Sequence, residues 1–310
     1  KKYKLKITND LVKKFSQDSN DYNPIHISPK YASRSLYGEV ICHGSLILYL
    51  ILKKILTKKL YITSLKCTFF KPVFINDILK IHIKNNKNKK IITADNSITT
   101  VLRLEIEQKK VLTNVNKKKF NFSNKVDKKI NILNIKKISH ILKKKKKLVP
   151  FFKKKKITFL DINENIIVLI FNISRIIGMK YPGKNSLFLN CDISYSNTTP
   201  MKNYFSLSKF DKKTKILTSN YNFGNYSAQS KSLLLENVKK ILTTQKKLPT
   251  KYYGKRAIII GGSRGLGFLT TQILLNSGIN VVATYFNNLD YLNQLKKKYI
   301  NKLNIKKLNI

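Results

Sequence analysis

Residues 15–49 read FSQDSNDYNPIHISPKYASRSLYGEVICHGSLILY. An acid and an imidazole, Asp21 and His26, stand five positions apart, with the turn formers Asn23 and Pro24 between them. His43 and Gly44 follow, opening an apolar, helix-length run to Leu56. Asn bonds its own local backbone and Pro fixes φ, so the segment between acid and imidazole must turn. A carboxylate and a histidine held around a turn, followed by a helix start with unpaired N–H groups, can activate water and stabilise an oxyanion.

Outward from this stretch, the first segment runs to residue 125. A polar, turn-rich approach precedes the apolar helix, and strands follow it. Val101–Glu107 alternates, with Leu102, Leu104 and Ile106 on one face and Arg103, Glu105 and Glu107 on the other, as a half-buried antiparallel strand does. Gln108–Lys110 reads as a turn into a returning strand at Val111–Val115. Leu65–Phe74 and Ile78–Ile83 are strand-like, with Pro72 suited to an edge or bulge. The second segment, 126–250, repeats the order. A lysine-rich stretch over residues 143–156 reads as loop or solvated surface, a helix runs from Glu164 to Gly178, and strands fall at Ser186–Tyr195, Tyr204–Phe210, Ile216–Phe223 and Ser230–Leu235. The third segment, 251–310, changes class. Strand Ala257–Ile260, a glycine-rich turn, helix Phe268–Asn276 and strand Asn280–Phe286 make the opening βαβ of a dinucleotide-binding fold.

The formal charge of +47 suggests nucleic-acid binding at first sight. Of 62 basic residues, however, only Arg34, Arg103, Arg175, Arg256 and Arg264 are arginine, the side chain suited to bidentate phosphate and base recognition. The lysines run along the whole chain beside Asn and Ile, as an AT-rich coding bias produces, and no zinc-finger, helix-turn-helix or RNP pattern accompanies them. The expectation is therefore no nucleic acid, on a surface that favours anionic ligands. Cys42, Cys67 and Cys191 are odd in number and lack metal spacing, so they read as reduced, buried thiols of a cytoplasmic protein. The longest apolar run, Leu46–Leu52, is far short of the ~20 residues of a membrane span, so no membrane partner is expected. No metal site is expected either: His82 reads as a sheet residue, and neither it nor His140 completes a ligand set. The opening Lys and the strand-like close, NKLNIKKLNI, suggest that the natural chain extends further.

Two readings of the opening stretch compete. In one, Asp21 and Asn23 cap turns and His26 is an ordinary, partly buried histidine. In the other, Asp21 and His26 hold one water between them and supply base and acid, while the Gly44 N–H receives an enolate-like oxygen. The surrounding residues favour the second. The series Phe15, Ser16, Asp21, Asn23, Pro24, His26, Ala32, Gly38, His43, Gly44, with Lys71-Pro72-Val73 and Asp77 downstream, resembles the MaoC-like family of (R)-specific enoyl-CoA hydratases over residues 8–116. The resemblance implies a hot-dog fold, a long helix wrapped by an antiparallel sheet, acting on acyl thioesters of CoA or acyl carrier protein. It places Asp21 and His26 as the catalytic pair, Gly44 as oxyanion donor, and Asn23 and His43 as substrate-positioning residues. It implies no cofactor for this step. Asn20 stands where the family has Gly, and Asn tolerates positive φ better than most residues.

Ser174–Ser196 resembles the helix end and following strand of a second hot-dog unit. It lacks Asp-x-Asn-Pro-x-His and is expected to be non-catalytic; the alternative is an unrelated α+β spacer. Gly261, Gly265 and Gly267 resemble the G-x-x-x-G-x-G of short-chain dehydrogenases/reductases. Together with Ser263 and Arg264 they form the expected nucleotide site. The absence of an acid at Tyr285–Asn287, with Arg264 in the loop, favours NADP(H). That family's Tyr-x-x-x-Lys has no counterpart before Ile310, so this segment alone is not expected to reduce a substrate.

The expected fold class is thus α+β: a tandem hot-dog followed by a truncated Rossmann-type α/β unit. The expected activity interconverts trans-2-enoyl and (R)-3-hydroxyacyl thioesters, by a chain that forms a homodimer. The alternative is a non-catalytic acyl-thioester binding or scaffold module. A thioesterase on the same fold usually carries its acid on the central helix, and Gly44–Leu56 has none.

Overall fold

The computed structural model describes residues 2–56, 60–86, 89–110, 129–130, 142, 144–148, 161–196, 201–235, 244–286 and 289–308. The chain forms two compact units. The first is Lys1–Ser28 with Val40–Leu235, and the second is Pro29–Glu39 with Glu236–Ile310.

Residues 9–19, expected as part of a turn-rich approach, are a helix, α1 (Asn9–Ser19). Thr8 caps it by accepting the Leu11 N–H, and Val12, Phe15, Ser16 and Ser19 line its buried face at helical spacing. The charged residues between these positions hid the period. Next come α2 (Pro24–Ile27) and, in the second unit, α3 (Pro29–Ala32). The apolar run forms α4 (Gly44–Ile55), which buries Leu46, Ile47, Leu48, Ile51 and Leu52. The corresponding helix of the later segment is α5 (Asp161–Arg175), which buries Ile166, Ile167, Leu169, Ile170 and Ile173. Phe171 of α5 meets the rings of Tyr49 on α4 and Phe15 on α1 edge-on, with centroids 5.1 and 4.9 Å away.

Helices α1, α4 and α5 pack in one core with a ten-stranded antiparallel sheet. Its strands are β1 (Lys2–Lys6), β2 (Leu60–Phe69), β3 (Ile78–Asn86), β4 (Lys89–Asp95), β5 (Thr100–Lys110), β6 (Lys146–Lys147), β7 (Ser186–Tyr195), β8 (Met201–Asp211), β9 (Ile216–Gly224) and β10 (Tyr226–Leu234). The order across the sheet is β1-β3-β4-β5-β2-β7-β10-β9-β8-β6. Read outward from the β2–β7 seam, both halves run in the same sequence. Each half is a helix followed by four strands, and each ends on a short partner strand. At the seam Cys67 stands opposite Cys191, and all three cysteines are free and buried.

Three details differ from the sequence reading. The strand expected at Leu65–Phe74 lies earlier, because Lys71-Pro72 cannot continue a ladder, and Phe74 instead bridges Ile41. Gln108–Lys110 stay in β5, opposite Leu60–Ile62, rather than turning. Lys146 and Lys147 form β6 against Phe205 and Tyr204, not a loop. The expected strand Val111–Val115 and His140 lie outside the described residues.

In the second unit, β11 (Arg256–Ile259), α6 (Gly265–Asn276), β12 (Asn280–Tyr285), α7 (Asp290–Lys298) and β13 (Leu303–Lys307) alternate. The three strands are parallel in the order β11-β12-β13, around Phe268, Leu275, Val281, Ala283, Leu292 and Leu303. Among the described residues, no helix is long and apolar enough to cross a membrane.

Candidate active site

The turn between α1 and α2 places the acid. Asn20 ends α1 in the left-handed region, at φ 56°, a conformation that Asn adopts more readily than most residues. Its side chain is buried, and among the described residues neither amide atom has a hydrogen-bond partner. The N–H of Asp21 is held by the Ser16 carbonyl at 3.1 Å and the Ser19 hydroxyl at 3.3 Å. Asn23 then caps α2 by accepting the Ile25 N–H, while its amide donates to the Gly183 carbonyl and to Ser186 Oγ, both at 3.4 Å. Its role is to fix the loop.

The Asp21 carboxylate is 2 % exposed. Ser174 of α5 donates to its Oδ2 at 2.7 Å, and the Asn23 N–H to its Oδ1 at 3.3 Å. Beyond α5 the helix widens into a π turn, Ile176–Lys180, which lays Gly178 against the carboxylate. A Cβ at Gly178 would sit 2.2 Å from Asp21 Oδ1, so only glycine fits there. Burial pushes the Asp21 carboxyl up to about 6, against the opposing pull of the Ser174 and Asn23 hydrogen bonds.

His26 is half-buried and lies 2.8 Å through Nδ1 from the Ile41 carbonyl, which can only accept. Nδ1 therefore carries the hydrogen and Nε2 the lone pair. Packing around the ring lowers His26 to about 4, the Ile41 bond opposing, so the ring is neutral at neutral pH. His43, the N-cap of α4, stacks on it with centroids 3.9 Å apart and rings tilted by 32°. His43 Nε2 donates to the Asp21 carbonyl at 3.2 Å, and lies 3.9 Å from Asp21 Oδ2. Burial, reinforced by His26, holds His43 well below its ordinary range despite that bond.

Nitrogen or oxygen atoms of Asp21, His26 and His43 all lie within 4.8 Å of one another. The donor set keeps its two hydrogen-bearing ring nitrogens on carbonyls, leaves His26 Nε2 and His43 Nδ1 as the lone-pair nitrogens, and has Asp21 Oδ2 accepting from Ser174. It fits a water molecule, whose two hydrogens would meet the carboxylate and His26 Nε2.

Gly44 opens α4, and among the described residues no acceptor is recorded for its N–H; the His43 carbonyl is taken by the Leu46 and Ile47 N–H groups instead. The positive end of a twelve-residue helix thus stands beside the three side chains. A Cβ on Gly44 would lie 3.0 Å from the Phe69 ring, so glycine here admits the aromatic wall of β2. The site brings together all five residues expected from the sequence. Sequence reasoning missed Ser174 and Gly178, which no spacing rule connects to an acid 153 residues before the serine. Away from the site, His82 pairs with Asp95 at 3.4 Å as an ordinary strand residue.

In the second unit the glycine turn between β11 and α6 has φ +74° at Gly261 and +57° at Gly265. A Cβ at Gly267 would fall 2.2 Å from the Gly261 carbonyl oxygen, so helix and turn close tightly. Thr284 Oγ1 accepts the Gly261 N–H, Ser263 is buried, and Arg264 donates to the Ser35 carbonyl at 3.3 Å. Asn287 lies outside the described residues.

Residues 1–108 match the family model described as the MaoC like domain, and this span holds Asp21, Asn23, His26, His43 and Gly44. No curated protein matches the chain. Among solved structures, a "MaoC-like dehydratase" is 10 % identical, over 76 % of this chain and 98 % of its own, with TM-score 0.43. The unliganded R-hydratase PhaJ1 from Pseudomonas aeruginosa is 22 % identical, over 39 % of this chain and 90 % of its own, with TM-score 0.30. The tesB protein of Mycobacterium avium subspecies paratuberculosis is 6 % identical, over 64 % and 88 %, with TM-score 0.41.

Proposed function

We propose that the first unit is a hydratase/dehydratase that interconverts trans-2-enoyl and (R)-3-hydroxyacyl thioesters of CoA or acyl carrier protein. The observation that carries this is the buried meeting of the Asp21 carboxylate with neutral His26 and His43, beside the start of α4 and inside the span that matches the MaoC like domain. In this reading both halves of the sheet are hot-dog units, the second without a catalytic pair of its own.

In the hydration direction, a water donates one hydrogen to Asp21 and the other to His26 Nε2. Its oxygen adds to C3 of the enoyl thioester while one proton passes to a base. With Asp21 near 6 and His26 near 4, Asp21 is the stronger base and takes it. The negative charge that develops on the thioester oxygen is met by the Gly44 N–H, a donor of a kind worth about 3 kcal/mol of transition-state stabilisation. Asp21 then returns the proton to C2, so one water is added and the enzyme is unchanged. Dehydration is the same path reversed. His26 orients the water, and its Nδ1–H bond to Ile41 keeps the lone pair on Nε2.

For the second unit we propose a nucleotide site at Gly261–Gly267, with Arg264 selecting NADP(H). The tight turn admits a pyrophosphate at the start of α6. A bound nicotinamide would supply hydride chemistry, and the residues of this chain would only hold it. Titration with NADPH against NADH, repeated with Arg264→Ala, checks the preference.

The hydratase reading is tested by supplying trans-2-enoyl-CoAs of graded chain length and resolving the product's hand. Formation of the (R)-3-hydroxyacyl product supports it. Acyl-CoA binding without turnover would instead favour a non-catalytic binding module.

A further inference from the structure

The second half of the ten-stranded sheet carries no Asp-x-Asn-Pro-x-His, yet it supplies much of the frame around the first half's acid. Five contacts cross from residues 174–186 to residues 21–23. Ser174 Oγ donates to Asp21 Oδ2 at 2.7 Å, and Gly178 packs against Oδ1 where no Cβ would fit. The Tyr22 N–H points to Met179 Sδ at 3.2 Å, and the Asn23 amide reaches Gly183 and Ser186. Of these, only the serine touches the carboxylate with a polar side chain, and it is 6 % exposed.

We infer that Ser174 is a positioning residue for Asp21: from the central helix of the half that lacks a catalytic pair, its hydroxyl fixes the carboxylate's orientation and holds it in the ionised state that accepts water's proton. This rests on the hydratase reading of the site. The remaining donor to the carboxylate, the Asn23 N–H, is longer at 3.3 Å and comes from the same loop, so it cannot fix the loop against the rest of the unit. The titratable groups around Asp21 are His26 on α2, His43 at the start of α4 and the neighbouring Tyr22. None of these is cationic at neutral pH, because burial holds both imidazoles unprotonated. Among the described residues no counter-ion therefore compensates for the buried carboxylate, and the Ser174 hydroxyl is a donor that offsets its charge.

The sign follows directly. A hydrogen bond to the charged form lowers a carboxyl pKa, so its removal raises it. Ser174→Ala, which keeps the helix and removes one oxygen, should move the acid limb of the kcat/KM–pH profile upward by about one unit, the scale of a lost hydrogen bond to a charged group. Ser174→Thr, which keeps a hydroxyl, should return the limb toward that of the wild type. A carbon-detected NMR titration of the Asp21 carboxyl in the same proteins should show the same displacement, whether or not a substrate turns over. An Asp21 carboxyl that titrates identically in wild type and Ser174→Ala overturns the inference, even if activity falls. If wild-type protein hydrates no enoyl thioester, the hydratase reading fails instead, and the NMR titration still decides the role of the serine.

Discussion

A buried acid kept for chemistry should cost the fold stability, and Asp21→Asn measures that cost. The carboxyl rises from 3.8 to about 6 on folding because burial disfavours its charge. At 1.36 kcal/mol per unit, this is about 3 kcal/mol of instability carried by the ionised side chain. The folded state holds the proton more tightly than the unfolded state. The cost is therefore absent below pH 3.8, grows as pH rises through the window to about 6, and is complete above it. The amide is nearly the same shape, can still accept from Ser174, and has no charge to desolvate. Urea unfolding of both proteins from pH 4 to pH 8 should show Asp21→Asn more stable by up to about 3 kcal/mol at pH 8, with the gap closing toward pH 4. His26 titrates on folding in the opposite sense, but it is common to both proteins and cancels in the difference. A variant no more stable than wild type at pH 8, or a gap independent of pH, would refute the reasoning.

Other substitutions probe the frame. Gly178→Ala puts a methyl where Asp21 Oδ1 stands, 2.2 Å from the Cβ position; it should destabilise by roughly 1–3 kcal/mol in thermal unfolding and remove hydration activity as the acid is displaced. Asn23→Ala loses the cap of α2 and the ties to Gly183 and Ser186, and denaturant titration should record a loss of about 1–2 kcal/mol. Gly44→Ala presses a methyl to 3.0 Å from the Phe69 ring, so hydration should fall, and Phe69→Leu in the same chain should recover part of the loss.

The site was legible in the sequence where its residues are close along the chain. Asp21, Asn23, Pro24 and His26 sit on one turn, and His43-Gly44 announces itself as the start of an apolar helix. Backbone geometry within such short stretches is set by local chemistry, so spacing could bring the residues together, while the resemblance of the surrounding series supplied their roles. Strands with clean alternation, such as that around Leu102, Leu104 and Ile106, were equally readable. The short edge strand Lys2–Lys6 and the strand Lys89–Asp95 were not, because Lys2, Lys4 and Lys6 in the one and Lys89 and Lys90 in the other mask the period. Helix α1 was lost for the same reason. Ser174 and Gly178 were out of reach on other grounds: their partner is set by the packing of α5 and its π turn on the Asp21 loop, a tertiary fact with no local signature.

The central claim is that Asp21 and His26 act on one water. Rates of crotonyl-CoA hydration by wild type, Asp21→Asn, His26→Ala and the double variant test it most directly. Two groups serving a single water are not additive, so each single change should cost on the order of 10²–10⁴-fold and the double change no more than the worse single one. Undiminished turnover in either single variant would contradict the account.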